Sequence, residues 1–216
     1  MAGLNHISDM LHQLKTFIGA FNRHDLTKGR QSILKSFLRT ATREGIANVT
    51  MRSIGAEAGV KPPTIYSHFP EGRDQVVAAA MRWHYSGYAQ ALLVEFSTCV
   101  TPQDFWKTLV RFHVAQQLRE PANDSWDILI ATDRISKQLP DEVREEIETW
   151  ERFCDYMYAA ISQDMGHVGI DVNARVARKT LDAVCAWWKW DGSDEHLDAA
   201  VAYGLKAAEA IMNIAR

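Results

Sequence analysis

Cysteine is scarce, and the three present, Cys99, Cys154 and Cys185, stand far apart in the chain. They form no C-x-x-C pair and no zinc-type spacing, so neither a disulfide framework nor a metal site is expected. Each thiol reads as a small buried hydrophobe in a reduced, cytoplasmic protein. No apolar run approaches the length that crosses a bilayer, and the first residues lack the basic start, apolar run and small-residue cleavage site of a signal peptide, so no membrane partner is expected. Strand-type alternation, internal repeats and low-complexity segments are missing too, which leaves an all-α chain. Enzyme signatures are equally lacking. There is no Gly-x-Ser-x-Gly, Walker loop, His-Glu-x-x-His or Gly-x-Gly-x-x-Gly, and the residue three before each histidine is never Glu, as a helical di-iron site requires. No catalytic residue, metal or cofactor is therefore expected.

What is present is an uneven distribution of charge. The 216 residues carry a formal net charge of −3, yet residues 1–72 hold nine lysines and arginines against five acids, net +4, leaving −7 for the rest. A basic N-terminal part on an acidic body suits a protein whose one end meets phosphates.

The stretch Thr50 to Phe69 says most about function. Thr50 is a good N-cap, Met51, Ile54 and Ala58 recur at helical spacing, and Gly59 sits where a left-handed residue ends a helix, predicting a helix over about 51–58. Val60 can plug an interhelical angle, and Pro62 and Pro63 fit a first turn that needs no donors, so a second helix starts near Pro63. Ile65 and Phe69 face a core; Thr64, Tyr66, Ser67 and His68 face outward. A helix-turn-helix of this form places its second helix in the DNA major groove. A third helix, about 28–44, precedes it, capped by Thr27, carrying Ile33, Leu34, Phe37, Leu38 and Ala41 inside, and stopped by Gly45.

These residues carry a resemblance. The run from Arg30 to Val77, with Ile33 and Phe37, Gly45, Thr50, Ile54, Ala58-Gly59-Val60 and Thr64-Ile65-Tyr66-x-His68-Phe69, resembles the DNA-binding domain of the TetR family of bacterial transcriptional regulators. The resemblance implies an N-terminal three-helix DNA-binding domain, a larger helical effector-binding domain, and a homodimer that represses until a small molecule binds. It implies DNA contacts for Thr50, Arg52, Lys61, Pro63, Thr64, Tyr66, Ser67 and His68, with Arg73 standing in for the family's phosphate-binding lysine. Lys61 replaces the usual capping Ser, Pro62 a residue often polar, and Pro70-Glu71-Gly72 is one residue longer than usual.

The rest of the chain reads as helices. Leu4, Ile7, Leu11, Leu14, Ile18 and Phe21 make a narrow apolar seam whose polar face is too weakly basic for a membrane surface. It packs on the DNA-binding domain of its own or the partner subunit, or grips DNA through Lys15, Arg23 and Lys28, or orders only on a partner. An aromatic stretch follows from Val76 to Phe96, in the family the link between DNA domain and body. Further helices run from Pro102 to near Pro121, from a cap at Asp124 or Ser125 to about Ile135, from Pro140 to Gly166, and over about 172–190 and 194–215. Domain bounds of 1–26 (extension), 27–72 (DNA-binding) and 73–216 (effector-binding and dimerisation) result.

An effector pocket is expected to draw on Tyr88, Leu92, Phe112, His113, Trp126, Trp150 and Trp187, since ligand sites between bundle helices are mostly apolar with a few placed polar groups. His113 also reads as a core histidine whose bonds are met within the fold. The last two helices, with small residues at close spacing, are expected to form a two-fold interface through Val184, Trp188, Leu197, Val201, Gly204, Ala208 and Ile211, or to complete the monomer core. The leading expectation is a sequence-specific repressor of double-stranded operator DNA, released by a small, largely apolar or aromatic effector. A helical ligand-carrier or protein-interaction module with a vestigial helix-turn-helix is the alternative.

Overall fold

The computed structural model describes residues 4–20, 26–120, 126–127, 130–133, 135, 137 and 139–214. Among them every regular element is helical: α1 (Asn5–Ala20), α2 (Lys28–Glu44), a 3-10 turn (Ile46–Asn48), α3 (Met51–Ala58), α4 (Pro62–His68), α5 (Arg73–Phe96), α6 (Pro102–Arg119), α7 (Asp141–Asp164), α8 (Asp171–Asp182), α9 (Val184–Trp187) and α10 (Asp194–Met212). No helix among these residues is long and apolar enough to cross a membrane. Expectations at Phe21, Arg23, Asp25, Pro121, Asp124, Ser125 and Ala215 lie outside the described residues.

Local chemistry sets most boundaries. Thr27 accepts from Arg30 N, Thr101 and Asp104 cap each other reciprocally ahead of Pro102, and Ser193 accepts from His196 N. Asp141 and Glu142 occupy the first turn of α7, where the helix dipole favours acids. The one helix expected over 172–190 is broken at Ala183, whose φ and ψ are −87° and 16°. The Trp187 indole N–H donates to Thr180 O at 2.9 Å, taking the carbonyl that Val184 N–H would bond in an unbroken helix.

α2, α3 and α4 pack together at one end, and α5 runs from that cluster into the body, touching α1, α2 and α6. α6, α7, α8 and α10 make the body. α10 packs on α6 and α8, and a Cβ on Gly204 would stand 3.1 Å from Leu181 Cδ2 and 3.2 Å from Val114 Cγ2. This close approach corrects the interface expectation. Val184, Leu197, Val201, Gly204 and Ala208 are buried within the single chain, so a partner cannot reach them, while Trp188 and Ile211 are half-buried. The small-residue stripe brings α10 against its own chain.

α1 also departs from expectation. It lies on α5 and α7 in the body, with Ile7, Met10 and Leu14 fully buried. Met10 and Phe17 join the seam; the Phe17 and Trp150 rings are 4.6 Å apart. Its first turn is held by a distant acid: Asp164 accepts from His6 N at 3.3 Å and Ile7 N at 2.9 Å, and the Tyr156 hydroxyl donates to Asp9 at 2.6 Å. At the C-terminal end of α7, Asp164 sits against its own helix dipole, and the positive end of α1 offsets that.

Deleting residues 1–24 is expected to lower the melting temperature substantially while barely changing the salt slope of DNA binding, since each buried aliphatic side chain contributes about 1.5–3 kcal/mol. Asp164→Ala, which removes a cap, should cost about 1–2 kcal/mol. A truncated protein melting like the full chain, with a flatter salt slope, would assign α1 to DNA instead.

Candidate nucleic-acid interface and effector cavity

The helix-turn-helix is built by short-range bonds. Thr50 Oγ1 accepts from Ser53 N at 3.1 Å and Ser53 Oγ from Thr50 N at 2.9 Å, so two orphan donors at the start of α3 are met reciprocally. Gly59 ends α3 in the left-handed region, φ 69°, and Val60 N then bonds Gly55 O at 2.9 Å. Gly55 has a role the periodicity did not show: a Cβ there would lie 2.7 Å from Val60 O, so only glycine lets the turn lie this close to α3. α4 begins at Pro62, one residue earlier than expected, and Lys61 caps it without a side-chain bond. The prolines lack the N–H groups that a capping side chain would satisfy.

Ile65 and Phe69 are buried, anchoring α4 from beneath. Lys61, Pro63, Thr64, Tyr66 and Ser67 are exposed, and so are Thr50 and Arg52 at the start of α3. Ser67 Oγ donates to Thr64 O at 2.7 Å, leaving its lone pairs outward. Two expected contacts are placed otherwise. The half-buried His68 ring lies against the first turn of α2, where a Cβ on Gly29 would stand 2.9 Å from Nε2, so it does not project beside Tyr66. Arg73 Nε donates to Val49 O at 3.0 Å and Nη2 to Ile46 O at 2.8 Å. That guanidinium braces the loop ahead of α3 against α5, and each of its nitrogens has a partner within the protein, Nη1 reaching Asp74 at 3.5 Å. Ile46 O also accepts from Val49 N at 3.2 Å in the 3-10 turn, and an arginine fork reaches it and Val49 O at once.

In the body, one cavity of about 80 Å³ gathers residues from α5, α6, α7 and α8 together with Trp126, Asp127 and Ile130, which are also helical. Of the expected pool, Tyr88, His113, Trp126 and Trp150 line it. Leu92 is wholly buried core, Phe112 packs edge-on against Tyr88 from behind at 4.9 Å, and Trp187 lies outside against Tyr203 at 5.6 Å. These three are corrected: apolar spacing identifies a buried face but not which part of it borders a void. Stacked Tyr85 and Trp150, 5.2 Å apart, form one wall.

The polar lining went unread in the sequence, where charged residues on helices look like solvated faces. His113 Nε2 donates to Asp182 Oδ1 at 2.9 Å, and its Nδ1 accepts the Tyr158 hydroxyl at 2.7 Å. Arg178, buried, reaches Asp155 at 2.6 Å and Asp182 at 3.0 Å; Lys179 reaches Glu151 at 2.8 Å and Asp182 at 3.1 Å; Arg175 reaches Asp155 at 3.0 Å. Burial pushes the Asp182 carboxyl up, but the His113 hydrogen bond and the charges of Arg178 and Lys179 together hold it below the usual carboxylate range. Asp127 behaves oppositely. Burial, then the charge of Asp182, pushes it up to about 6, against one hydrogen bond from Gln117 Nε2 at 3.0 Å. Burial likewise raises the Cys154 thiol to about 12, so it is no nucleophile. Among the described residues no cluster of histidines, cysteines and acids has metal-binding geometry.

Together these features define a helix-turn-helix DNA-binding protein with a cavity in its helical body. Residues 33–80 match the model of the bacterial regulatory proteins, tetR family, and it is this stretch that carries the helix-turn-helix. Solved structures share the fold over most of their length. A bacterial regulatory protein of the tetR family from Rhodococcus is 15% identical, with a TM-score of 0.71 over 88% of this chain and 100% of that one. The ketosteroid transcriptional regulator KstR2 of Mycobacterium tuberculosis is 14% identical, with a TM-score of 0.68 over 86% and 96%. AibR, solved in complex with isovaleryl coenzyme A and operator DNA, is 18% identical, with a TM-score of 0.61 over 82% and 97%. No curated protein matches the chain.

Asp127 makes a testable contribution to stability. Its folded pKa lies above the unfolded value of about 3.9, so the folded protein holds this proton more tightly. The stabilisation this gives is complete below about pH 4 and is lost as the pH rises through about 6. Asp127→Asn should therefore be more stable than the natural protein by about 1–2 kcal/mol at pH 7.5, with the difference closing near pH 4 in urea titrations. A difference independent of pH would show that this carboxylate is solvated.

Proposed function

We propose that the protein is a homodimeric repressor whose grip on operator DNA is released by a small effector in the cavity of its body. The observation that carries the reading is the helix-turn-helix itself, with its reciprocal cap, left-handed Gly59 and exposed polar face on α4. Thr64 and Tyr66 reach base edges and phosphates from that face, while Lys61, Arg52 and Thr50 flank it. α5 is the element through which cavity and DNA are coupled: Val76, Val77 and Ala80 are buried near the α2 end, and Tyr85 and Tyr88 border the cavity further along the same helix. An effector that binds one body conformation better than another shifts the separation of the two recognition helices. The cavity's aromatic walls suit a compact effector, and such a regulator works in the cytoplasm.

Gel shifts against the DNA flanking its own gene test the reading. Sequence-specific, salt-sensitive binding is expected, and Tyr66→Ala should weaken it by about 1–3 kcal/mol without unfolding the protein. Absence of such binding would leave the ligand-carrier alternative.

The dimer face is proposed on the outer side of the last helices, opposite the stripe that packs inward. Val172 and Val176 on α8, and Tyr203 with Ile214 just past α10, are 45–59% exposed, and Trp187 rests against Tyr203. Neighbouring exposed apolar side chains of this size mark an interaction surface. Tyr203→Glu is expected to yield a folded monomer in sedimentation, whereas Ala208→Glu should unfold the chain, because a charge there enters the monomer core. An undiminished Tyr203→Glu dimer would place the interface elsewhere.

A further inference from the structure

The cavity's unmet hydrogen-bonding capacity is one-sided. Gln117, which lines the cavity, turns its Nε2 to Asp127, and its Oε1 is buried without a partner. The Tyr85 hydroxyl, on a side chain 9% exposed, is likewise buried without a partner and also lines the cavity. Asp127 itself accepts the single bond from Gln117. An amide oxygen and a carboxylate can only accept, and a phenol oxygen can accept. Leaving such atoms buried and unpaired is costly, so the group that completes them is a donor.

The charge balance points the same way. Arg175, Arg178 and Lys179 are engaged by Glu151, Asp155 and Asp182, three cations on three carboxylates, and His113 spends Nε2 on Asp182 as well. Among the described residues around the cavity Asp127 is the carboxylate left over, facing His113 and Gln117 on α6, Tyr85 on α5, Glu151 and Cys154 on α7, and Arg178, Lys179 and Asp182 on α8. An anionic ligand would meet Asp127 with the nearby arginine already engaged. A neutral alcohol would fill one acceptor and leave the charge. A quaternary ammonium would bring charge but no N–H for Gln117. Trp126, Trp150 and Tyr88 supply the ring faces that attract a cation.

We infer that the cavity binds a compact primary amine in its ammonium form, with the three N–H groups directed to Asp127, Gln117 Oε1 and the Tyr85 hydroxyl, and a short apolar body against the rings. At about 80 Å³ the space is roughly half that of an apolar cavity that accepts benzene, which limits the body to a few carbons. The inference rests on reading this cavity as the effector site and names the chemistry that site selects.

Calorimetry and thermal shift on the full-length protein test it, using n-propylamine, n-butylamine and 2-methylpropylamine beside 1-butanol, butyrate and butyltrimethylammonium. The primary amines should raise the melting temperature by about 5 °C at a hundredfold excess over Kd, and the matched compounds far less. Asp127→Asn should weaken amine binding at least about tenfold, and Tyr85→Phe less, with both variants folded. Amine affinity for the natural protein should rise between about pH 5 and pH 7 as Asp127 ionises, a rise absent from Asp127→Asn. Equal binding of the alcohol, carboxylate or quaternary compound, no binding at all, or indifference to Asp127→Asn overturns the inference. The two readings fail separately. If non-amines bind and shift operator affinity regardless of Asp127, the amine chemistry falls and the effector site stands. If amines bind through Asp127 but leave operator affinity unchanged, the ammonium site stands and the effector reading falls.

Discussion

An arginine head group inside a helical bundle can stay charged only if carboxylates reach it in fixed geometry, and Arg178 imposes that constraint on this body. Its bonds to Asp155 on α7 and Asp182 one turn along α8 clamp the two helices face to face, and Glu151 and Lys179 extend the lattice. Desolvation makes such a lattice weak evidence for stability as such, but removing one member strands the others. What it supplies here is position. Asp182 carries His113 and, through it, Tyr158, so one wall of the cavity is fixed by a chain of bonds from α8 through α6 to α7. Burial holds Arg178 on one side of the ledger and the matched acids on the other, and the cavity inherits what is unmatched.

Aromatic packing ties α1 and α5 to this frame. Trp150 meets Phe17 of α1, Tyr85 and Tyr88 of α5 and Phe153 of its own helix. A Leu at that position would keep the apolar surface but lose the flat face against which Tyr85 stacks. Arg82 on α5 adds an ion pair with Glu146 on α7. The N-terminal helix is thus a component of the body, although its sequence lies next to the DNA-binding domain.

The DNA-binding half was legible because its instructions are local. Thr27, Gly45, Thr50 and Gly59 each act within four residues, and the boundaries of α2 and α3 follow from them. The all-helical architecture followed from periodicity in the same way. Features decided by distant partners were not legible. The break at Ala183 depends on an indole reaching back to Thr180, and Arg73 is turned inward by carbonyls more than twenty residues away. The pattern of small residues on α10 is the same whether the surface it meets is another chain or α6 and α8. The cavity was half legible: aromatic residues announced a buried face, but Asp127, Gln117 and Arg178 resembled ordinary helix exteriors until three other helices closed over them.

The indole of Trp126 is 6.4 Å from the ring of Phe37 and 5.7 Å from that of His84. Phe37 is a wholly buried residue of α2, and α2 holds α3 through ion pairs from Arg39 and Arg43 to Glu57. One flat side chain is therefore a party wall between two rooms, the cavity on one side and the core under the helix-turn-helix on the other. Close-packed interiors do not deform by small degrees; a ring either keeps its place or flips to another, and its neighbours must refill the space. A guest that turned this wall to make room for itself would take volume from Phe37, and the room next door is the core on which the helix-turn-helix is built.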